Sequence, residues 1–181
     1  MRVLIRPAEM ADIDRIAEIL VFAKRTAYRD IFQNDHAMFN SLRVVKTYEE
    51  LKASAAIDNI LVYDDGIIKG LIHHDTINEE DVYFDSLYID PFFQSNGIGP
   101  RLIFHLARWA VRNNFKHVYG WVLEGNERAI NLYKRLNARF TGTRKEFENS
   151  GKDILQFVGD LEPMRRLMNR TGYTRLKNKD I

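Results

Sequence analysis

Between Leu87 and Leu102 the chain reads Leu-Tyr-Ile-Asp-Pro-Phe-Phe-Gln-Ser-Asn-Gly-Ile-Gly-Pro-Arg-Leu. Within it, Gln94, Ser95, Asn96, Gly97, Ile98 and Gly99 form a Gln-x-x-Gly-x-Gly spacing that leads from a strand pattern into a helix pattern. A strand that opens through glycines onto a helix start aims several backbone N–H groups at one point, and the helix dipole adds positive potential there. Glycine keeps Cβ atoms out of the approach. An anion such as a pyrophosphate is the natural occupant. The same spacing also builds a plain tight turn, and the loop by itself does not decide between the two.

Other residue types invite chemistry and meet simpler readings. His73 and His74 are adjacent on a strand and point to opposite faces, so they cannot chelate one metal together. His105 and His117 have no partner at ligand spacing, and no metal is expected. The absence of cysteine removes disulfides, zinc-thiolate sites and a thiol nucleophile, and it fits a reducing compartment. Asp85 is the carboxylate on the strand that leads to the glycine loop. Its plain reading is a strand aspartate making a structural hydrogen bond.

The elements that must position these groups follow from periodicity. Val3–Arg6 reads as a short strand stopped by Pro7, and apolar Ile13, Ile16, Ala17 and Leu20 recur at helical spacing to near Ala27. The stretch 28–51 is mixed and helical in pieces. Ile60–Tyr63 is a strand, Asp64-Asp65-Gly66 a hairpin turn, and Ile67–His74 the next strand. Val82–Asp90 is a strand ended by Pro91. The helix after the glycines carries Ile98, Leu102, Leu106 and Ala110 on one stripe. His117–Leu123 is a strand, Asn126 caps a helix bearing Ala129, Leu132, Tyr133 and Leu136, Asn137 suits a left-handed helix end, and Lys152–Val158 is a last strand.

The whole is 181 residues, 45% hydrophobic and 29% charged, the composition of one ordinary globular domain. No apolar run reaches membrane-spanning length, and the start, Met1 to Pro7, is too short in apolar residues for a signal peptide, so a cytoplasmic protein with no membrane partner is expected. Net charge is +2, but residues 163–181 carry +5 and the rest −3. Such a basic tail can be a solvated terminus, a contact in a homodimer or a nucleic-acid arm. It lacks the aromatic interleaving of an RNA binder, so nucleic acid is not the expected partner. The division is then a domain over 1–162 and a basic tail over 163–181.

About thirty residues past the loop stands Asn126-Glu127-Arg128-Ala129-Ile130-Asn131-Leu132-Tyr133. This block together with Gln94–Gly99 resembles the GNAT superfamily of N-acetyltransferases. The resemblance covers roughly residues 2–160 and is strongest over 82–140. It implies an α/β (α+β) fold: a mixed, mostly antiparallel sheet splayed at the cofactor cleft and flanked by helices. It implies acetyl-CoA as co-substrate, with its pyrophosphate on Gln94, Ser95, Asn96, Gly97, Ile98 and Gly99. The acetyl group passes to a primary amine by direct attack in a ternary complex.

Such a transfer needs a grip on the pyrophosphate, a donor for the thioester carbonyl as it gains charge, a base for the amine and an acid for the thiolate. By the resemblance the carbonyl donor is a backbone amide of Leu87, Tyr88 or Ile89, on a bulged part of the strand. By the same resemblance Tyr133 is the candidate general acid, since a phenol with a pKa of about 10 stays protonated at neutral pH; its plain reading is a core tyrosine on an apolar helix face. Asn126 is a candidate to bond the pantetheine arm, to cap its helix, or to do both. Many members of the superfamily carry a glutamate two residues before Asp85, but Tyr83 stands there. Asp85, on the face expected to hold Tyr83 and Leu87, is then the candidate base, with Glu80 in the loop or water as alternatives. Tyr28, Phe32 and Tyr83 are candidates for the acceptor pocket. Its occupant is a small amine or a protein N-terminus or lysine. Pro100 also departs from the common pattern and removes one N–H from the anion site. The displaced glutamate leaves a second reading open, a non-catalytic acyl-CoA-binding module.

Overall fold

A computed structural model describes residues 3–148, 150–163 and 166. The basic tail expected over 163–181 lies, apart from Pro163 and Arg166, outside the described residues. In chain order the main elements are β1 (Leu4–Pro7), α1 (Ile13–Phe32), α2 (Val44–Ala53), β2 (Ile60–Asp64), β3 (Ile68–Thr76) and β4 (Asp81–Ile89). There follow α3 (Ile98–Arg112), β5 (His117–Leu123), α4 (Glu127–Arg135), β6 (Arg139–Glu146) and β7 (Asp153–Asp160). The strands are ordered β1-β2-β3-β4-β5-β7-β6. The pairs β1/β2, β2/β3, β5/β7 and β6/β7 are antiparallel. This is the mixed α/β class with a mostly antiparallel sheet that the sequence implies. No helix among the described residues is long and apolar enough to cross a membrane.

The described residues fall into two compact units, one drawn from Met1–Asp75 and Phe84–Leu102, the other from Thr76–Tyr83 and Ile103–Ile181. In the first, Ile13, Ile16, Ile19 and Leu20 of α1 bury against Ile60 and Val62 of β2 and Ile68 and Leu71 of β3, with Tyr88 of β4 packed on the same cluster. The i, i+3, i+4, i+7 spacing on α1 and the period-two spacing on the strands meet there. Each such side chain contributes about 1.5–3 kcal/mol on burial. In the second unit Val118, Val122 and Leu123 of β5, Phe157 and Val158 of β7, and Ile130, Tyr133 and Leu136 are buried.

Three elements depart from the sequence expectation. Helix α1 runs five residues past Ala27 and ends where Gln33 turns left-handed (φ 50°) and its N–H reaches Arg29 O. The last turn is held by a ring contact within the helix, Tyr28 edge-on to Phe32 at 6.0 Å, and by a tertiary one, the Tyr28 hydroxyl at 2.9 Å from that of Tyr88. Pro7 is itself the last residue of β1, paired with Leu61 on an edge strand, and not the residue just past its end. Strand β6 has no sequence expectation at all. It is exposed almost throughout, an edge strand rich in charge, with a register break between Phe140 and Arg144 around Gly142 at φ 90°. An edge strand buried on neither face carries no apolar alternation to read. On α4 the buried residues include Ile130, while Ala129 and Leu132 are only partly covered.

Candidate functional site

The glycine loop is anchored by Asp90. This aspartate, 5% exposed, accepts a hydrogen bond from Phe92 N at 2.8 Å and pairs with the Arg15 guanidinium of α1. Its own N–H donates to Lys69 O at 2.9 Å, and its carbonyl accepts from Phe93 N at 2.9 Å. Those bonds end β4 and turn the chain through a 3-10 turn at Pro91–Phe93 into the loop. Arg15 also donates to Ile68 O at 3.0 Å, so α1, β3 and the loop entrance are tied by one side chain.

Gln94 then donates to Ile89 O at 3.2 Å, which places its amide beneath the loop rather than out from it. Ser95 and Gly97 sit at φ 69° and 73°, the left-handed region, with Ser95 and Asn96 exposed. Gly97 therefore meets a conformational demand. Ile98 and Gly99 are buried at the start of α3. Pro100 falls in the first helical turn, where its missing N–H costs no intrahelical bond. Arg101 does not project freely as an exposed helix residue: it donates to the Tyr63 hydroxyl at 2.8 Å and its guanidinium lies 6.0 Å from that ring.

Gly70 on β3 supports the same corner. A Cβ there would stand 2.6 Å from Ile89 Cδ1, 3.1 Å from Tyr88 O and 3.2 Å from Ile98 Cγ2. Only glycine lets the end of β4 and the start of α3 come this close to β3. Sequence reading did not single out Gly70, because one glycine in a strand gives no hint of what approaches it.

On β4 itself, Asp85 bonds His73 across the strands, Oδ1 to Nδ1 at 2.8 Å. The β2/β3 register is unbroken from Gly70 to His73, so alternation puts His73 on the face of Leu71, toward α1. Asp85 is on that face too. Tyr88 packs on the same core cluster. Residues three apart cannot share a face of a regular strand, so β4 carries an irregularity at Ser86 and Leu87. The alternating burial of β4 also stops at Asp85. The expectation that Asp85 and Leu87 share a face rested on unbroken alternation, and the irregularity removes that basis.

The pair is electrostatically set. The hydrogen bond from Asp85 raises the His73 pKa above its ordinary 6.5, against an opposing push from burial and with help from Asp75. Burial pushes Asp85 up, but the bond and charge of His73 outweigh it and hold its pKa below the ordinary value. His74 is moved down, mainly by burial.

Tyr28 reaches Tyr88, and Lys24 Nζ lies 5.7 Å from the Tyr88 ring. Beside them α1 lines a cleft of about 410 Å³ with Phe22, Arg25, Thr26, Arg29 and Asp30, closed by Phe39. Tyr28 and Phe32, the expected pocket residues, are not among its walls.

The remaining candidates belong to the second unit. Asn126 Oδ1 accepts from Ala129 N at 3.3 Å and caps α4, as the sequence implies. Tyr133 is buried, its ring 5.7 Å from Phe157. Asn137 takes the left-handed conformation expected of it, at φ 63°. Tyr83 is partly buried. Glu80 pairs with Lys116, and Asp81 with His117 at 2.8 Å and Asn78 at 2.9 Å. The acidic run 79–81 is thus largely matched by local partners instead of standing as an open negative patch.

The sequence pattern of the Acetyltransferase (GNAT) family matches residues 18–138, from α1 through α4. The chain belongs to that family. It is 27% identical over 177 residues to the uncharacterized N-acetyltransferase YuaI of Bacillus subtilis, covering 93% of this chain and 99% of that one. Mouse thialysine N-epsilon-acetyltransferase is 31% identical over 97 residues, about half of each chain (54% and 53%). In fold it is similar to the PaiA N-acetyltransferase of Thermoplasma acidophilum, whose crystal structure is a complex with coenzyme A: TM-score 0.65, 17% identity, 86% of this chain and 98% of that one.

Proposed function

We propose that this GNAT protein is an acetyl-CoA-dependent N-acetyltransferase that acts on a primary amine by direct attack in a ternary complex. The observation that carries the reading is the Gln94–Gly99 loop. It opens α3 with Gly97 left-handed and Ser95 and Asn96 exposed, the form a helix-start anion site takes. Those residues fit a pyrophosphate, with backbone N–H groups as donors and Gly97 leaving the approach clear. When bound, acetyl-CoA supplies the activated acyl group.

The chain's own residues then have these roles. A backbone amide from Leu87, Tyr88 or Ile89 donates to the carbonyl oxygen as it gains charge, which the irregularity in β4 supports, because a bulge leaves one backbone group outside the ladder. Asp85 assists the loss of the amine proton. Tyr133 gives a proton to the sulfur, and Asn126 bonds the pantetheine arm. Tyr28, Phe32 and Tyr83 border the acceptor. The acceptor class is a small amine or a lysine-like side chain or protein N-terminus, and the partial likeness to a thialysine acetyltransferase supports trying lysine analogues first.

A second reading, an acyl-CoA-binding module without turnover, draws on one observation: Tyr83 stands where a carboxylate would serve as base. Release of free thiol from acetyl-CoA in the presence of an amine panel separates the two. Amine-dependent release supports the transferase, and tight binding without release supports the module.

A further inference from the structure

We propose that His73 is the group that takes the proton from the acceptor amine, with Asp85 as the carboxylate that orients it. The inference rests on the acetyltransferase reading and names the residue that reading lacks. His73 sits on β3, one strand away from where a base was sought, and its side chain is 18% exposed while that of Asp85 is 45% exposed. Nδ1 faces Asp85 Oδ1 at 2.8 Å. With an ionised carboxylate as partner, Nδ1 carries the hydrogen and Nε2 keeps its lone pair. No protein atom among the described residues bonds that Nε2.

The chemistry favours the imidazole over the carboxylate. An efficient base has a pKa near the working pH. His73 is raised from 6.5 toward that range, whereas Asp85 is held below the ordinary carboxylate value and is a still weaker base for an ammonium ion. The register partner of His73 on β2 is apolar Ile60, its own strand adds His74 and Asp75, and β4 adds Asp85 with Ser86 beside it. On the same face, helix α1 brings Lys24 Nζ to 5.7 Å from the Tyr88 ring and the Tyr28 hydroxyl to 2.9 Å from that of Tyr88.

The step balances. An ammonium acceptor gives one proton to His73 Nε2, and its freed lone pair forms the C–N bond as the C–S bond breaks. The electron pair departs on sulfur, which takes a proton from Tyr133 or solvent. The second nitrogen proton, shed as the amide forms, returns to solvent or restores Tyr133. His73 then passes its own proton to water.

The test uses the full chain with His73→Gln, His73→Ala and Asp85→Asn, followed by thiol release with an active amine from about pH 5.5 to 9 and by calorimetry with acetyl-CoA. His73→Gln should keep a hydrogen bond to Asp85 and keep acetyl-CoA affinity, yet lower kcat/KM for the amine by about 10²–10⁴-fold and abolish the acid limb that His73 sets. Added imidazole should restore part of the rate of His73→Ala, which a merely structural histidine would not allow. Asp85→Asn should move the acid limb toward lower pH and leave imidazole without effect. Wild-type rates and an unmoved acid limb in His73→Gln, or a loss in His73→Ala that imidazole does not touch, overturns the proposal while the acetyltransferase reading stands. No amine-dependent thiol release by the wild-type chain overturns both.

Discussion

Asp85 and Tyr88 lie on the same face of β4 although they are three positions apart in sequence. The one-residue irregularity between them turns the His73–Asp85 pair and the Tyr88 hydroxyl, bonded to Tyr28, toward the side of the sheet that α1 covers. In the proposed function, a backbone group left outside the ladder by such an irregularity is the donor to the acyl carbonyl. Tyr28→Phe removes the hydroxyl contact at 2.9 Å while keeping the ring. If that face borders the acceptor, KM for the amine should rise several-fold with acetyl-CoA affinity unchanged. A change in acetyl-CoA affinity alone would place the tyrosine pair elsewhere in function.

Gly97→Val should damage the anion loop in two ways. A β-branched residue at φ 73° is strained, by roughly 1–2 kcal/mol, and its Cβ enters the path of the phosphates. Acetyl-CoA affinity by calorimetry should fall at least tenfold, with the melting temperature lowered by a few degrees at most. Equal affinity in the variant would remove the loop from the binding site.

Asp90→Ala probes the anchor rather than the loop. It strips the cap from Phe92 N and leaves Arg15 with Glu18 as its remaining carboxylate, at 2.5 Å. The cost should be about 2 kcal/mol, below the roughly 3–5 kcal/mol of a fully buried pair, because Arg15 is partly exposed. Urea unfolding checks it, and a shift near zero would show that the loop entrance does not depend on this residue.

The His73–Asp85 pair has a pH signature in stability. His73 has a raised folded pKa, so its contribution is present at low pH and is lost as pH rises through that value. Asp85 has a depressed folded pKa, so its contribution is present at higher pH and is lost as pH falls through that value. The two overlap in the window from about the ordinary carboxylate value up to the His73 value above 6.5. Wild type should exceed Asp85→Asn most in that window, by no more than about 1 kcal/mol because Asp85 is half exposed. A stability difference constant with pH would mean that the pair does not ionise as described.

Much of this molecule is legible in its sequence, for physical reasons that name themselves. The stripe Ile98, Leu102, Leu106 and Ala110 is buried throughout, Asn126 caps α4 and Asn137 ends it left-handed. Each is a local rule at work. What escaped depends on what lies across the sheet. His73 gains meaning only from Asp85, twelve residues away on the next strand, and Gly70 only from Ile89 and Ile98. Strand β6 escaped because pairing with β7, not burial, is what makes it a strand.

Tyr133→Phe deletes a hydroxyl and keeps a buried ring packed on Phe157. Stability and acetyl-CoA affinity should change little, and single-turnover rates should fall by about ten- to ten-thousand-fold. Steady-state rates can hide the effect behind slow product release, so single turnover is the reading that counts. A wild-type single-turnover rate would leave Tyr133 as a core residue and the proton to solvent.

The most direct measurement is free-thiol release from acetyl-CoA by the wild-type chain across a panel of primary amines, including lysine, thialysine and short peptides with unblocked N-termini. The expected result is saturable release that requires one class of amine, with mass spectrometry showing one acetyl group gained by the amine. Binding of acetyl-CoA with no amine-dependent release anywhere in the panel would contradict the acetyltransferase reading.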